Sequence, residues 1–277
     1  MRTLKIVADS SSDVLSLANV DFASAPLKII TNEREFTDNA QLDISEMASF
    51  FDSYKGRSHT SCPNPQDWLD AFGCADDVIC VTITSALSGS YSAACAAKAL
   101  YEAEQPERRV FVLDTLSAGP QLRLILEKLE AWSERRSFED ICQSLQLYLK
   151  KSKLLFMLKS MNNLANNGRV PKLVAKAAGL AGIHVVGKAS DKGTLEPVSK
   201  CRGEKRALEA IVSALAANGL NQGKVRISHC LNLRAALKLK EMLQVTFPLA
   251  ETEIHECRGL CSYYAERGGL LVGFETF

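Results

Sequence analysis

The sequence predicts an α/β fold divided into two domains. Its 277 residues, 47% of them hydrophobic, can bury more core than one ordinary domain needs. Short β-branched runs end in polar residues that lead into helical patterns, the signature of a parallel α/β layer. The same alternation restarts in the second half, with no repeat, low-complexity segment or long linker between.

In order, "LKIVAD" (4–9), "DVICVTIT" (77–84) and "RVFVLDT" (109–115) read as the first strands. Ligands of such sheets bind beyond the carboxyl ends of the strands, so residues 10–13, 84–90 and 114–119 are expected on one rim. Helical patterns follow at 88–104, 120–134 and 138–150, the second with an apolar face of Leu122, Ile125, Leu126, Leu129 and Trp132. The stretch "LLFMLKSMNNLANNGRVPKLVAKAAGLAG" offers an apolar segment, a turn at Asn167 and Gly168, and Pro171 placed to open a helix. The domain boundary is expected near Lys153. Beyond it come "IHVVGKA", "TLEPVSK", a helix at 203–217 striped by Ala207, Leu208, Ile211, Val212 and Leu215, "KVRISHC", a helix at 232–243, "ETEIHEC" and a last strand "GGLLVGF".

The net charge of +1 gives no whole-chain preference for nucleic acid or membrane. Between Lys150 and Arg206, however, thirteen Lys/Arg stand against three Asp/Glu, which suggests either a docking face for something anionic or a scattered solvated surface. The nine cysteines contain no CxxC pair and no metal spacing with the four histidines, so reduced thiols, no metal and a cytoplasmic location are expected. No run approaches the ~18 apolar residues of a membrane helix, and no long apolar signal region opens the chain.

Three clusters bear on chemistry. "ADSSSDV" sets Asp9, Ser10, Ser11, Ser12 and Asp13 after the first strand, as an oxyanion site or as ordinary helix caps. "HTSCPNP" presents Thr60 and Ser61 before a proline-stiffened turn, or simply caps a helix beginning near Pro65; His59 beside them is a possible base or a surface residue. "TSALSGSY" adds Thr84, Ser85, Ser88 and Ser90, with Gly89 allowing close backbone approach. It is neither a G-x-S-x-G elbow nor a phosphate loop. Neutral donors without adjacent cations fit one weak anion, and a carboxylate above all.

These residues resemble those of the DegV-type fatty acid-binding proteins, in order and over nearly the whole chain. "ADSSSD" resembles the family's opening strand and Asp-Ser loop. "TSCPNP" resembles its Thr-Ser-x-Pro-Ser motif with Asn64 in place of the last serine, and "SALSGSY" its Ser-x-Leu-Ser-Gly-Thr-Tyr motif with Ser90 for threonine. "LANNGRV" is similar to its Gly-Arg segment through Gly168 and Arg169, and "SKCRGEKRAL" to its Arg-Gly stretch through Arg202 and Gly203.

The resemblance implies an N-terminal three-layer parallel-sheet domain (1–153), a C-terminal α/β domain with a mixed sheet (154–277), and a ligand tunnel between them. It implies a non-enzymatic carrier that holds a long-chain fatty acid and presents its carboxylate to a separate ATP-dependent fatty acid kinase. The acyl-phosphate so formed feeds phospholipid synthesis. By that resemblance Thr60, Ser61, Ser88 and Gly89 bind the carboxylate, and no cofactor is expected. Some members add a carboxyl-terminal histidine; here Ala265 stands near its place, and Tyr263 or Tyr264 is the substitute donor, with Ser10 a further polar contact.

Burying a sixteen-carbon tail at about 0.8 kcal/mol per methylene outweighs one or two carboxylate hydrogen bonds. Phe156, Leu158, Leu164, Leu173, Val174 and Ala177 are the candidate tunnel walls. Arg169, Lys172, Lys176 and Arg202 are the candidate docking surface toward the kinase and, in transient contact, toward an anionic membrane face. Two other functions fit the same rim: a serine-dependent acyl hydrolase using Ser88 or Ser61 with His59, and a small-anion or sugar-phosphate binder.

Overall fold

The computed structural model describes residues 2–178 and 182–276, with side chains as far as Ala175 in the helix that ends at 178. In chain order, β1 (Leu4–Asp9) leads through a single 3-10 turn to β2 (Asp21–Ala25), then to β3 (Lys28–Thr31), β4 (Glu35–Thr37), α1 (Ile44–Ser53) and β5 (Ser58–Ser61). Next come α2 (Pro65–Phe72), β6 (Asp77–Thr82), α3 (Ser90–Glu104), β7 (Arg109–Asp114), α4 (Pro120–Ser133) and α5 (Phe138–Lys150). The second half holds β8 (Ser152–Leu158), α6 (Asn162–Asn166), α7 (Lys172–Ala178), β9 (Ile183–Ala189), β10 (Leu195–Arg202) and α8 (Glu204–Ala217). It closes with β11 (Gln222–His229), α9 (Leu233–Thr246), β12 (Leu249–Glu256), α10 (Gly259–Ala265) and β13 (Leu270–Glu275).

The expected α/β class holds. A parallel sheet in the order β2-β1-β6-β7 is covered on both faces, as the unbroken burial of "DVICVT" in β6 requires. Ile6, Ala8, Ile79 and Val81 turn toward α4 and α5, whereas Val7, Val78 and Cys80 turn toward α2 and α3. The second sheet is mixed, in the order β10-β9-β8-β13-β11-β12, with β11 and β12 parallel and the other pairs antiparallel. Along β8, Leu155 and Met157 face the core under α8 and α9, and the alternate residues Leu154, Phe156 and Leu158 face the first half of the chain.

Beside β2 and α1, which the sequence reading does not include, two unexpected features bear on the site. A small antiparallel sheet, β4-β3-β5, stands beside the parallel one and carries Thr60 and Ser61. The seven-residue α10 returns from the second half to sit against it. Asp38 accepts from Gly259 N and Leu260 N at 2.8 and 2.9 Å, and Asp13 accepts from Arg258 N at 2.9 Å, so two buried carboxyls fix the start of α10. Elsewhere α4 is bound to the second sheet by Arg226, only 2% exposed, whose guanidinium meets both carboxylate oxygens of Glu127 at 2.8 Å.

The capping reading of "CPNP" is also realised. Asn64 caps α2 through Gln66 N and Asp67 N, with Asp67 returning the bond and Pro65 in the first turn. Thr60 and Ser61 are thus left on β5 while the proline segment builds the following helix.

Candidate functional site

A cavity of about 300 Å³ lies where the parallel sheet's rim, the small sheet, α10 and the second sheet converge. Its volume is at the lower end for small-molecule sites, and its lining is mostly apolar with polar groups gathered on one side. Leu154, Phe156, Leu158 and Leu271 form one wall, from adjacent strands β8 and β13. Leu27, Ile83, Ala118 and Leu260 oppose them, and Leu164 and Leu195 close the sides.

The polar side is built by three segments. From β5 come Thr60, Ser61 and Cys62; from the loop into α3 come Leu87, Ser88 and Gly89; from α10 comes Tyr264. Thr60 Oγ1 and Tyr264 Oη are 2.7 Å apart, and burial pushes the phenol pKa up, so the phenol stays protonated and can donate. Ser88 Oγ accepts from Ser90 N at 3.2 Å, and Ser61 Oγ donates to its neighbour's carbonyl at 3.2 Å. Gly89 caps α3 without a side-chain bond, leaving first-turn N–H groups open. A Cβ on Gly89 would come within 3.2 Å of Cys62 Sγ, so glycine permits the close approach of the two loops. Burial also raises the Cys62 pKa, which keeps this thiol a weak nucleophile.

The structure adds a cation. Arg169, expected on an outer docking face, lines the cavity instead, with Nε donating to Leu87 O at 3.1 Å and Nη1 to Asn167 O. The rim that reads as free of cations in local sequence therefore acquires one from the second half of the chain.

Of the other expected residues, Phe156, Leu158 and Leu164 line the cavity. Tyr263 does not; it turns to a neighbouring cleft and bonds Ser58 Oγ at 2.7 Å and Asn167 Nδ2 at 3.0 Å. Ser10 is buried away from the cavity, its hydroxyl accepting from Leu27 N at 3.0 Å. Leu173 is 80% exposed, and Val174 is half-buried against the apolar cluster behind the wall. Neither lines the cavity, whose apolar residues come from β8, β13, α6, β10 and the facing first half of the chain. Lys172 and Arg202 are exposed; the side chains of Lys176 and Ala177 lie outside the described ones. His59 is exposed and alternates along β5 to the side opposite Thr60. Among the described residues no histidine bonds Ser61 or Ser88, no group of His, Cys, Asp and Glu is disposed to hold a metal, and no helix is long and apolar enough to cross a membrane.

Leu154, Leu271, Leu27, Ile83, Leu260 and Leu195 are lining residues the sequence reading passed over. Leu154 had a signal, being the next member of the period-two series through Phe156 and Leu158. The others come from separate elements, and only the fold brings them together.

Half-buried hydroxyls from the antiparallel strand β5, the loop into α3 and α10 thus face an apolar cavity shared with the second sheet, the arrangement of a binding protein for an apolar ligand with a polar end. The family model described as "Uncharacterised protein, DegV family" matches residues 3–276, and the chain belongs to that family. A DegV domain-containing protein of Streptococcus pneumoniae is 40% identical over 278 residues, covering 99% of both chains. A DegV family protein from Eubacterium eligens, solved loaded with heptadecanoic acid, is 43% identical with a TM-score of 0.97 and covers 99% of this chain and 100% of its own. The Streptococcus pneumoniae Fatty Acid Kinase (Fak) B3 protein, solved loaded with linoleic acid, is 40% identical with the same TM-score and coverage.

Proposed function

We propose that this protein is a carrier that binds one long-chain fatty acid, tail in the apolar cavity and carboxylate at the hydroxyl-lined mouth, and presents it to a separate ATP-dependent kinase. The observation that supports it best is the make-up of the cavity: a mostly apolar lining that includes Leu154, Phe156, Leu158 and Leu271, joined by the hydroxyls of Thr60, Ser61, Ser88 and Tyr264. The tail supplies affinity and the hydroxyls supply register. Relatives above 40% and at 40% identity that hold fatty acids support the ligand class.

In this reading Thr60, Ser61, Ser88 and the Gly89 N–H donate to the carboxylate, and Tyr264 takes the place of the histidine found in some members. Holding the carboxylate mostly with neutral donors leaves it nucleophilic. One carboxylate oxygen attacks the terminal phosphoryl of ATP on the kinase, forming an acyl-phosphate and releasing ADP. Arg169 is placed to balance charge at that mouth. In this reading the kinase is the catalyst; among the described residues Ser61 and Ser88 bond no base, which disfavours the hydrolase. The cavity's apolar wall disfavours a sugar phosphate.

Native mass spectrometry of the purified protein, with analysis of its organic extract, tests this directly. One equivalent of fatty acid is expected. Protein that is lipid-free and also fails to take up added fatty acid overturns the proposal.

Lys172 and Arg202, both exposed, are the proposed contact with the kinase and with an anionic leaflet. Each exposed cation near such a surface contributes about 1 kcal/mol, so Lys172→Glu with Arg202→Glu is expected to slow fatty acid exchange from anionic vesicles by about tenfold or more. Equilibrium affinity for free fatty acid should be unchanged. Equal exchange rates for variant and wild type would refute this surface.

A further inference from the structure

One glycine lies beneath the wall of the cavity. On β9 the residues that share the cavity-facing side are Val185, Gly187 and Ala189, and Gly187 alone has no side chain to contribute. An isolated glycine inside a strand marks close approach by something else. Here it is the ring of Phe156, the residue paired with Gly187 across the β8–β9 ladder. A Cβ on Gly187 would stand 2.3 Å from Cζ and 2.6 Å from Cε2 of that ring. The phenyl therefore lies over the bare backbone of β9, fully buried, while still forming part of the cavity wall.

On its other side Phe156 is paired with Leu271, whose side chain also lines the cavity, so the space over Gly187 is where the ring can lie down beside the ladder. Were that space occupied, the ring would rise toward the cavity. Position matters as well. Leu158 ends β8 on the side of the segment that leads to Arg169, which the fatty acid reading takes as the mouth, and Leu154 lies four residues back from it along the same strand, so Phe156 stands midway along the wall at about 7 Å from either.

We infer that Phe156 and Gly187 form a specificity-determining pair, in which the ring folded onto Gly187 opens the passage from the mouth to the Leu154 end and so sets the longest acyl chain accepted. The inference rests on the fatty acid reading and adds the residues that select among fatty acids. Raising the ring shortens the usable cavity; removing it lengthens or widens it. Each methylene no longer accommodated costs roughly fourfold in affinity, so a small displacement of the ring moves the preferred chain length.

The test uses delipidated full-length protein incubated with an equimolar mixture of saturated fatty acids from dodecanoic to icosanoic acid, read by native mass spectrometry. Phe156→Trp and Gly187→Ala are expected to shift the most abundant bound species toward shorter chains by two methylenes or more. Phe156→Ala should shift it toward longer chains. A Cβ at 187 also meets the carbonyl oxygen of Glu196 at 2.6 Å, so thermal melts accompany the series and the two Phe156 variants decide if Gly187→Ala does not fold. Identical distributions for wild type, Phe156→Trp and Phe156→Ala overturn the pair. Wild type that takes up no fatty acid overturns the carrier reading instead, and the pair with it.

Discussion

A Thr60→Ala/Ser88→Ala double variant is expected to purify without bound lipid and to bind added fatty acid about 10² to 10⁴ times more weakly than wild type. The estimate follows from two lost hydrogen bonds to a charged acceptor, each about 1.5 to 3 kcal/mol, at about 1.4 kcal/mol per tenfold. The apolar wall is untouched, so residual binding should persist at high ligand concentration. A Ser61→Ala control is expected to cost less, because that hydroxyl already donates to the Cys62 carbonyl. Displacement of a fluorescent fatty acid, with melts of lipid-free protein to verify folding, measures all three. Wild-type affinity and occupancy in the double variant would remove the carboxylate from this mouth and leave the cavity without its polar anchor.

Most of the two large sheets and their helices was legible because long periodic segments reveal themselves: Val78 to Val81 in β6 are continuously apolar and both faces of the strand are covered, and the stripe from Leu122 to Leu129 is buried in α4. The small sheet was not. Its strands are three or four residues long, below the length at which alternation separates from chance, and α10 has only seven residues. Those two elements supply Thr60, Ser61 and Tyr264, so the residues were readable while the scaffold that brings them together was not. Arg169 makes the same point from the other direction. Its sequence neighbours gave it the look of a surface cation, and only the packing of the α6–α7 loop against Leu87 turns it inward.

The hydroxyls divide in a way the sequence alone leaves open. Of the serines and threonines around the rim, Ser10 bonds Leu27 N, Thr84 donates to Gly193 O at 2.9 Å, and Ser11 and Ser90 both donate to Asp9. Most of the cluster is thus structural, and Thr60, Ser61 and Ser88 are the hydroxyls of these motifs that line the cavity. Hydroxyls are dense at this rim because a strand end beside a helix start must satisfy many backbone and side-chain groups at once. The ligand uses what that construction leaves over.

Asp9→Ala is therefore expected to damage fold and binding together. The Asp9 carboxyl, at the end of β1, receives Ser11 Oγ at 2.5 Å, Ser90 Oγ at 2.6 Å, Ile83 N at 2.8 Å and Ser11 N at 3.3 Å. It ties β1 to the end of β6 and to the first residue of α3. Burial drives its pKa up, and the donated hydrogen bonds oppose that shift, so the carboxyl and its donors stabilise one another only as a set. Alanine leaves buried donors without an acceptor, at about 1 to 3 kcal/mol each, and a total loss of about 3 to 5 kcal/mol is expected. At about 2 to 4 °C per kcal/mol, the melting temperature of lipid-free protein should fall by about 10 °C. Because Ser90 is released, Ser88 and Gly89 lose their fixed position, and fatty acid affinity should fall even below the new melting point. Lipid-free protein is required, since bound ligand would itself raise the melting temperature by mass action. Asp9→Asn keeps one acceptor oxygen but turns an amide N–H₂ toward a donor, so it should fall between alanine and wild type. A melting temperature within about 2 °C of wild type for Asp9→Ala, which leaves a loss of no more than about 1 kcal/mol in a chain of this size, would mean that the hydroxyl network is not what holds the rim together.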